Sequence, residues 1–335
     1  MSYNLRDVKK AEDCKNAVIL FNGIGGNAIG YSLANINTKV VVSQNKVANR
    51  IFRKNFDNTP IIEKAINDIE GLEILYKSEL NRYDIDIMDI TPRFDTNIKN
   101  YLKQKEFMSV FKEITRLVYE TMPKVLIFFD DKSITKGINR IVLNQMVEML
   151  SEINYCVEFE LMDIKYYDVP QDKEVLAMIG IRKDFEIKPT FPEMSINCIS
   201  TKDAIGDLVN TEIDLKTNPL KIKLLQKYFK SGCTPKDIKD IIKKYNPNIP
   251  SNLNFRRDKW EEPFVSLSKS ENRLFHPIVD RVLGIKEAMR LQTFPDDYLL
   301  SFNPTLNWKE VCSSIPPKLV YNIARELKDD FFSNI

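Results

Sequence analysis

A glycine cluster between an apolar run and a helical pattern is the feature that most restricts the fold of this chain. The apolar run covers residues 17–21, Gly23, Gly25 and Gly26 follow it, and residues 28–34 have the pattern of a helix. Glycines at such a turn permit left-handed backbone conformations and let a bound ligand approach the main chain. The pattern therefore predicts a strand, a tight turn and a helix, which begin a βαβ unit.

Apolar runs and helical patterns continue to alternate through the first half of the sequence. Further strands are predicted at residues 40–43, 85–90, 125–129 and 175–181. Helical patterns lie between them, near residues 107–119 and 138–150. This alternation predicts an α/β fold with a doubly wound sheet that is covered by helices on both faces.

The cysteine and histidine content excludes several kinds of site. The five cysteines are far apart, and none belongs to a Cys-x-x-Cys pair, so neither a zinc site nor a disulfide framework is predicted. His276 is the single histidine, whereas histidine-based catalysis and metal binding usually need a cluster of partners. We therefore expect no metal, and we interpret His276 as a structural residue.

No apolar run reaches membrane-spanning length, and the amino terminus is charged where a secretory signal would be apolar. We expect no membrane association, and a cytoplasmic location, or a nuclear one in a eukaryote.

Basic residues are concentrated in one segment, although the net charge of the whole chain is only +2. Between Lys216 and Lys259 there are twelve basic and three acidic residues, a local surplus of nine positive charges. Such a surplus is typical of a surface that meets nucleic acid.

The same region, residues 200–258, has short helical patterns and prolines instead of alternating strands and helices. Thr234 followed by Pro235 is typical of a helix start, and Gly232 would form the preceding turn. Three short helices of this kind resemble a helix-turn-helix. The candidate DNA contacts are Lys236, Asn252, Asn254, Arg256 and Arg257. The alternative interpretation is a solvated, lysine-rich helical insertion.

The C-terminal segment carries a motif that is long enough to be specific. Residues 281–297 read RVLGIKEAMRLQTFPDD, after a His-Pro pair at 276–277 and before VCSSIPPKLVYNIA at 311–324. This pattern resembles the tail of the DNA (cytosine-5) methyltransferase family, which has an HP pair, an RxLTxxEaxRLQxFPD block and a GNAVPP block. The LFNGIGG run at 20–26 resembles the family's LFxGxGG motif, and residues 168–184 resemble its GxPQxRxR block.

The resemblance spans the chain outside the basic insertion, which stands in the place of the target recognition domain. It implies a Rossmann-like S-adenosylmethionine-dependent methyltransferase sheet with a smaller inserted domain. The implied divisions are residues 1–185 for the catalytic fold, 186–258 for the recognition-like domain and 259–335 for the segment that completes the fold. Double-stranded DNA is the implied partner.

The resemblance also implies a cofactor site for S-adenosylmethionine. Its candidate residues are Phe21, Gly23, Gly25, Gly26, Asp68 and Ser313. Two departures weaken this site: Ser43 and Gln44 stand where the family has an acid that binds the ribose hydroxyls, and Ser313 stands where it has asparagine. The alternative is a glycine turn that is kept only for packing.

Three catalytic elements of the family are altered together. Pro92 is followed by Arg93 and Phe94 instead of the nucleophilic cysteine and glutamine, and Phe129 or Asp130, depending on register, stands in place of the glutamate. The two arginines of the PQxRxR block are replaced by Lys173 and Val175. An arginine cannot add to a pyrimidine ring, because its guanidinium stays protonated. We therefore expect none of these positions to be catalytic.

These departures predict a catalytically inactive family member that acts as a DNA-binding, partner or regulatory subunit, for example in a methyltransferase pair or a restriction-modification system. Another methyltransferase or a different protein would be its partner. One alternative is an active S-adenosylmethionine-dependent DNA cytosine methyltransferase, alone or with a subunit that supplies the missing cysteine. A second alternative is a structural interaction module. The tail that matches the family motif is expected to hold the fold together through Arg281, Leu283, Glu287, Arg290, Leu291 and Pro295.

Overall fold

The computed structural model of the chain describes residues 2–8, 14–92, 101–209, 230–233, 240, 256–267 and 274–335. The chain divides into two compact units. We call the first the sheet unit, and it comprises Arg6–Asp163, Glu174–Met194 and Ser314–Ile335. The second unit comprises Met1–Leu5, Ile164–Lys173 and Ser195–Ser313. The predicted divisions at 1–185, 186–258 and 259–335 stay predictions, because much of the insertion lies outside the described residues.

The sheet unit is built on a seven-stranded sheet with the order β3-β2-β1-β4-β5-β7-β6. Strands β1 to β5 run parallel to one another, and β7 is antiparallel to both β5 and β6. The strands are β1 Lys15–Leu20, β2 Ile36–Val42, β3 Ile61–Ile62, β4 Ile87–Asp89, β5 Val125–Asp131, β6 Tyr155–Asp163 and β7 Glu174–Arg182.

Six helices of the described chain belong to the sheet unit, and three belong to the second unit. Those of the sheet unit are α1 Gly26–Leu33, α2 Lys46–Asn55, α3 Gly71–Ser78, α4 Tyr101–Thr121, α5 Ile138–Glu152 and α9 Pro317–Glu326. Those of the second unit are α6 Thr201–Ile205, α7 Ile285–Leu291 and α8 Pro304–Ser313. A two-stranded parallel ribbon, β8 Arg256–Arg257 and β9 Leu274–Phe275, also lies in the second unit. No helix among the described residues is long and apolar enough to cross a membrane.

The central strands explain why the sequence forms a sheet that is covered on both faces. Residues 125–130 of β5 are all buried, and residues 175–182 of β7 are buried as well. A strand that is apolar without alternation cannot keep one face in water, so helices must cover both sides. The core next to these strands includes Phe107, Phe111 and Met146, which come from α4 and α5.

Helix α9 returns the end of the chain to the sheet unit and packs closely against α1. A Cβ atom on Gly30 would lie 2.5 Å from Cβ of Val320 and 2.7 Å from the carbonyl oxygen of Pro317. A Cβ atom on Gly26 would lie 2.5 Å from the carbonyl oxygen of Ile315. Both glycines are therefore required for the close approach of these two segments.

In the second unit, the arginine of the RLQxFPD motif joins three segments of chain. Nη2 of Arg290 donates to Oδ2 of Asp296 at 2.6 Å, and Nη1 and Nη2 each lie 3.2 Å from a carboxylate oxygen of Asp207. Arg281 donates to both carboxylate oxygens of the fully buried Glu287, at 2.8 and 2.6 Å. Charge-assisted bonds of this kind are strong when desolvated. These motif residues thus have the packing role that the sequence analysis expected.

His276 is fully buried beside this cluster. Its Nδ1 accepts hydrogen bonds from the backbone N–H groups of Ile278 and Val279, both at 3.2 Å. Burial, together with the charges of Arg281 and Arg257, lowers the pKa of His276 to about 3. The imidazole is therefore neutral at physiological pH and shapes the 276–279 turn.

Substitution of Gly30 with alanine tests the packing of α9 on α1. Because the added methyl group would overlap Val320 and Pro317, Gly30→Ala is expected to lower the free energy of unfolding by about 2–3 kcal/mol. The matched control is Gly180→Ala, whose Cβ would meet its nearest atom at 3.4 Å, an ordinary contact. Urea denaturation measures both variants, and equal stability of the two would contradict the close packing.

Candidate functional site

The carboxyl ends of β1 and β4 lie side by side at the point where the strand order reverses. Strand β1 pairs with β2 on one side and with β4 on the other. In open α/β sheets the crevice outside such a switch point is where ligands bind. The segments that leave the sheet here begin at Phe21 after β1, Ser43 after β2 and Ile90 after β4. All of them belong to the sheet unit.

The glycine turn after β1 has a strained backbone. Phe21 has a positive φ of 60°, which is uncommon for a residue with a side chain, and Gly25 has a φ of 96°. The turn is fastened by a hydrogen bond of 2.9 Å from the backbone N–H of Asn22 to the carbonyl of Val42. Gly23, Gly25 and Gly26 are all buried within this turn.

A buried carboxylate joins the turn to β4. Asp89 is fully buried, and its Oδ2 accepts hydrogen bonds from Nδ2 of Asn27 at 2.6 Å and from the hydroxyl of Tyr31 at 2.8 Å. Its Oδ1 accepts from the backbone N–H of Thr91 at 3.1 Å. Burial raises the pKa of Asp89, although the hydrogen bonds oppose that shift. The sequence analysis did not identify this cluster, whose signal is an acid at the end of a short apolar strand.

The next residues lead from β4 into the segment that contains the altered Pro-Cys-Gln motif. The hydroxyl oxygen of Thr91 accepts a hydrogen bond of 3.2 Å from the backbone N–H of Phe129, which ties the exits of β4 and β5 together. Pro92 is buried. Arg93 and Phe94 lie outside the described residues, so their predicted lack of a catalytic role stays a prediction.

The two candidates for the glutamate position have different surroundings. The side chain of Phe129 is buried in the sheet unit, with an exposed fraction of 1%. Asp130 is 9% exposed, and its Oδ1 accepts from the backbone N–H of Asp131 at 2.7 Å, whereas its Oδ2 has no hydrogen-bond partner among the described residues. Burial raises the pKa of Asp130 to about 7. Asp130 can therefore carry a proton near neutral pH.

Both cysteines of the sheet unit lie at the amino-terminal end of the parallel strands, opposite to the carboxyl ends that form the switch point. Cys14 directly precedes β1. Cys156 is aligned through Ile181 of β7 with Val125, the first residue of β5. Val125 and Asp131 are the two ends of β5, and they lie about 20 Å apart at the usual rise of a strand. Neither thiol is therefore near Pro92 or Asp130.

The remaining candidate cofactor residues match the family's cofactor site only in part. Ser43 is buried, and its hydroxyl oxygen accepts from the backbone N–H of Asn45 at 3.2 Å, whereas Gln44 is exposed. Asp68 is exposed at the end of the short helical turn Ile66–Asp68 that follows β3. Ser313 is the last residue of α8 in the second unit. The turn and Asp68 stay candidate cofactor residues, and no carboxylate occurs in residues 43–46 directly after β2.

Gln171 of the altered PQxRxR block is an internal connector of the second unit. Its Nε2 donates to the carbonyl of Leu291 at 2.9 Å and to Oε1 of Gln292 at 2.7 Å, and its Oε1 accepts from the backbone N–H of Leu267 at 3.0 Å. Val175 is buried within β7, with an exposed fraction of 3%, and Lys173 directly precedes that strand. Val175 therefore packs in the sheet, and its predicted lack of a catalytic role stays a prediction.

Two of the five candidate DNA contacts lie within the described residues. Arg257 is 5% exposed and donates from Nε to the carbonyl of Pro277 at 2.8 Å and from Nη1 to Asp280 at 3.0 Å. Nε of Arg256 lies 2.5 Å from Oδ1 of Asp258, and its guanidinium stacks over the ring of Phe264. These contacts hold the second unit together and give no support to a DNA contact by Arg257. Three further candidates, Lys236, Asn252 and Asn254, lie outside the described residues.

The strand order, the glycine turn at the switch point and the antiparallel β7 together define the fold class of S-adenosylmethionine-dependent methyltransferases. Solved structures agree with this class. A DNA modification methyltransferase encoded within an E. coli prophage superposes with a TM-score of 0.72 at 17% identity, covering 94% of this chain and 99% of its own. The Entamoeba histolytica methyltransferase EhMeth superposes with a TM-score of 0.66 at 14% identity, covering 95% and 99%. At these identities the likeness shows the fold alone.

Sequence comparison assigns the family. The signature of the C-5 cytosine-specific DNA methylases matches residues 16–329. The type II methyltransferase M.PspPI of Psychrobacter sp. (strain TA137) is 24% identical over 333 residues, covering 92% of this chain and 78% of the relative. M1.HphI of Haemophilus parahaemolyticus is 23% identical over 330 residues, covering 91% and 84%. The chain belongs to the C-5 cytosine-specific DNA methylase family, so the predicted family and fold class are confirmed.

Members of this family use S-adenosylmethionine and act on DNA. Within the described part of the chain, no group of three or more histidine, cysteine or acidic side chains could hold a metal ion.

Removal of the Asp89 carboxylate tests the cluster at the switch point. Asp89→Ala would leave three buried donors, from Asn27, Tyr31 and Thr91, without an acceptor and is expected to lower the free energy of unfolding by about 3 kcal/mol. Asp89→Asn keeps one acceptor oxygen and should lose less. The control is Asp57→Ala at an exposed position, and thermal and urea denaturation measure all three variants.

The pH dependence of these variants follows from the direction of the pKa shift. Burial raises the native pKa of Asp89 above its unfolded value. The protonated carboxyl group therefore contributes its full stabilisation of the native state at pH values below the unfolded pKa. That contribution is lost as pH rises through the native pKa. The advantage of wild type over Asp89→Asn should thus be largest at acid pH, and the opposite trend would contradict the burial of the carboxyl group.

Proposed function

We propose that this chain is a catalytically inactive member of the family that binds double-stranded DNA as a partner or regulatory subunit of a methyltransferase or of another protein. The observation that carries the proposal is the lack of a thiol in the motif that follows β4. Pro92 is followed there by Arg93, and the two cysteines of the sheet unit lie at the far edge of the sheet.

The chemistry of the family explains why this one substitution matters. Carbon 5 of cytosine is a poor nucleophile, and it attacks a methyl group only after a thiolate has added to carbon 6. A guanidinium stays protonated at physiological pH and has no nucleophilic lone pair. Cys198, Cys233 and Cys312 occur in the second unit and in no Pro-Cys-Gln context. Methyl transfer by this chain alone therefore lacks its first step.

DNA binding is supported by the substrate class of the family and by the charge of the insertion. The surplus of nine positive charges between Lys216 and Lys259 lies where the family has its recognition domain. Lysine contacts to phosphates release bound counterions, so affinity should fall steeply as salt is added. Lys236, Asn252, Asn254 and Arg256 remain the candidate contacts.

The purified chain is expected to bind DNA without modifying it. With labelled S-adenosylmethionine and mixed duplex DNA, no methyl transfer should occur, and a 5-fluorocytosine duplex should give no covalent adduct. Gel shifts should show binding at low salt. The affinity should fall by on the order of a hundredfold or more over a fourfold rise in salt concentration, as expected for several phosphate contacts.

Arg93→Cys is the matched variant for this experiment, and it should remain inactive because Lys173 and Val175 still replace the arginines. A covalent adduct formed by the wild-type chain would overturn the inactive assignment. Failure to bind any duplex at low salt would overturn the DNA-binding assignment separately.

We further propose that S-adenosylmethionine binds weakly at the glycine turn. Gly23, Gly25 and Gly26, with Phe21 before them, would hold the cofactor, which supplies the methyl group when bound. Asp68 would bind its adenine, as the resemblance to the family implies. The missing carboxylate after β2 removes the strongest expected hydrogen bonds to the ribose. Ser313 stands where the family has asparagine and is the remaining candidate residue.

Restoring an acid after β2 tests the cofactor proposal. Gln44 is exposed, whereas Ser43 is buried and bonded, so a carboxylate at position 44 can reach a ligand. Gln44→Glu should tighten S-adenosylmethionine binding by about tenfold in calorimetric titration, because charged acceptors make stronger hydrogen bonds than neutral ones. Gln145→Glu, at an exposed position of α5, is the control of equal charge. Absence of binding by every variant would leave packing as the sole role of the glycine turn.

The alternative function is an active enzyme, alone or with a subunit that supplies the cysteine. Asp130 favours it, because a buried carboxyl group with a pKa of about 7, whose Oδ2 has no hydrogen-bond partner among the described residues, can hold a proton for a ligand. Methyl transfer that appears only when a second methyltransferase chain is added, and that Asp130→Asn abolishes, would support this alternative.

A further inference from the structure

The outermost strand of the sheet, β6, has an open edge. It is nine residues long, and the strand order ends with it beyond β7. No strand among the described residues pairs with its outer side. Such an edge presents unpaired backbone N–H and C=O groups that can receive another strand.

The register of β6 identifies the groups that point outward. The carbonyl of Asn154 accepts from the N–H of Lys183 at 2.8 Å, so this opposite pair is hydrogen-bonded. The backbone N–H of Arg182 instead donates to the carbonyl of Lys124, on the side of β7 that faces away from β6, at 3.1 Å. In an antiparallel pair, residues that bond to the neighbouring strand alternate with residues whose backbone groups point away from it. The backbone groups of Val157, Phe159 and Leu161 therefore face away from β7.

The two faces of β6 differ in chemistry. Glu158 and Glu160 share one face, and both side chains are exposed. Phe159 and Leu161 share the other face, where the guanidinium of Arg140 lies 5.1 Å from the centre of the Phe159 ring and Leu161 is 37% exposed. The edge thus combines hydrogen-bonding backbone, an acidic face and an apolar face.

We propose that the outer edge of β6 binds an extended segment of a partner protein in which lysine or arginine alternates with apolar residues. The basic side chains would lie beside Glu158 and Glu160, and the apolar ones beside Phe159 and Leu161, because neighbouring strands align their faces. A second copy of this chain does not fit, since an antiparallel pairing centred on Phe159 would place the glutamates opposite each other. Phosphate groups do not fit an acidic face either.

This inference rests on the partner-subunit part of the proposed function and gives that partner a place on the molecule. Its test uses the full chain without DNA or cofactor, so it can fail while the DNA and methylation results stand. The probe is a labelled nine-residue peptide that alternates lysine and valine, and fluorescence anisotropy measures its binding. An otherwise identical glutamate and valine peptide is the negative control.

Three results are expected. The lysine peptide binds and the glutamate peptide does not. Glu158→Gln with Glu160→Gln weakens binding by about five- to tenfold, as expected for the loss of two cross-strand charge pairs, whereas Glu148→Gln with Glu152→Gln on α5 leaves it unchanged. Circular dichroism and urea denaturation verify that both double variants are folded.

N-methylated peptides separate backbone pairing from simple charge attraction. A strand turns alternate residues toward its neighbour, so methylating either all valines or all lysines should abolish binding while the other set is tolerated. Loss with N-methylvaline indicates antiparallel addition, and loss with N-methyllysine indicates parallel addition. Equal binding of both methylated peptides, or no binding of the parent peptide, would overturn the proposal.

Discussion

The hydrogen bonds to the buried carboxylate of Asp89 hold together the part of the sheet on which the rest of the site depends. Asn27 and Tyr31 of α1 donate to it from one side, and the backbone of Thr91 donates from the other. These bonds fix α1 against β4, and α1 in turn receives α9 through Gly26 and Gly30. A single desolvated acid thus fixes α1 and the glycine turn before it, because moving α1 would leave the buried donors of Asn27 and Tyr31 without their acceptor.

The direction of the parallel strands then determines which side chains can meet. The carboxyl ends of β1, β2, β4 and β5 all lie at the same end of the sheet. This end therefore carries Phe21, Ser43, Thr91 and Asp130. Cys14 and Cys156 lie at the amino-terminal end of these strands, about one strand length away. No rearrangement of side chains crosses such a distance. Neither thiol of the sheet unit can therefore take the place of a cysteine after Pro92.

The sequence predicted the elements whose signal is local and missed those that depend on the assembled sheet. The turn at Gly23–Gly26 and the buried run of β5 have clear local patterns, and both were found. Strand β6 was missed because its exposed glutamates interrupt the apolar pattern, and β3 has only two residues. The role of Asp89 depends on α1 reaching β4, and the burial of Arg257 depends on contacts with Pro277 and Asp280, which no spacing within the sequence reveals.

The residues of the tail motif pack the second unit, and they are separate from the positions that the family uses for chemistry. In the tail motif, Arg290 links Asp296 to Asp207, and Glu287 anchors Arg281. Removing Arg281 would leave the fully buried carboxylate of Glu287 without its main ion-pair partner, which destabilises the unit strongly. A long matching tail is therefore evidence about architecture, whereas activity has to be argued from the few residues at the carboxyl edge of the sheet.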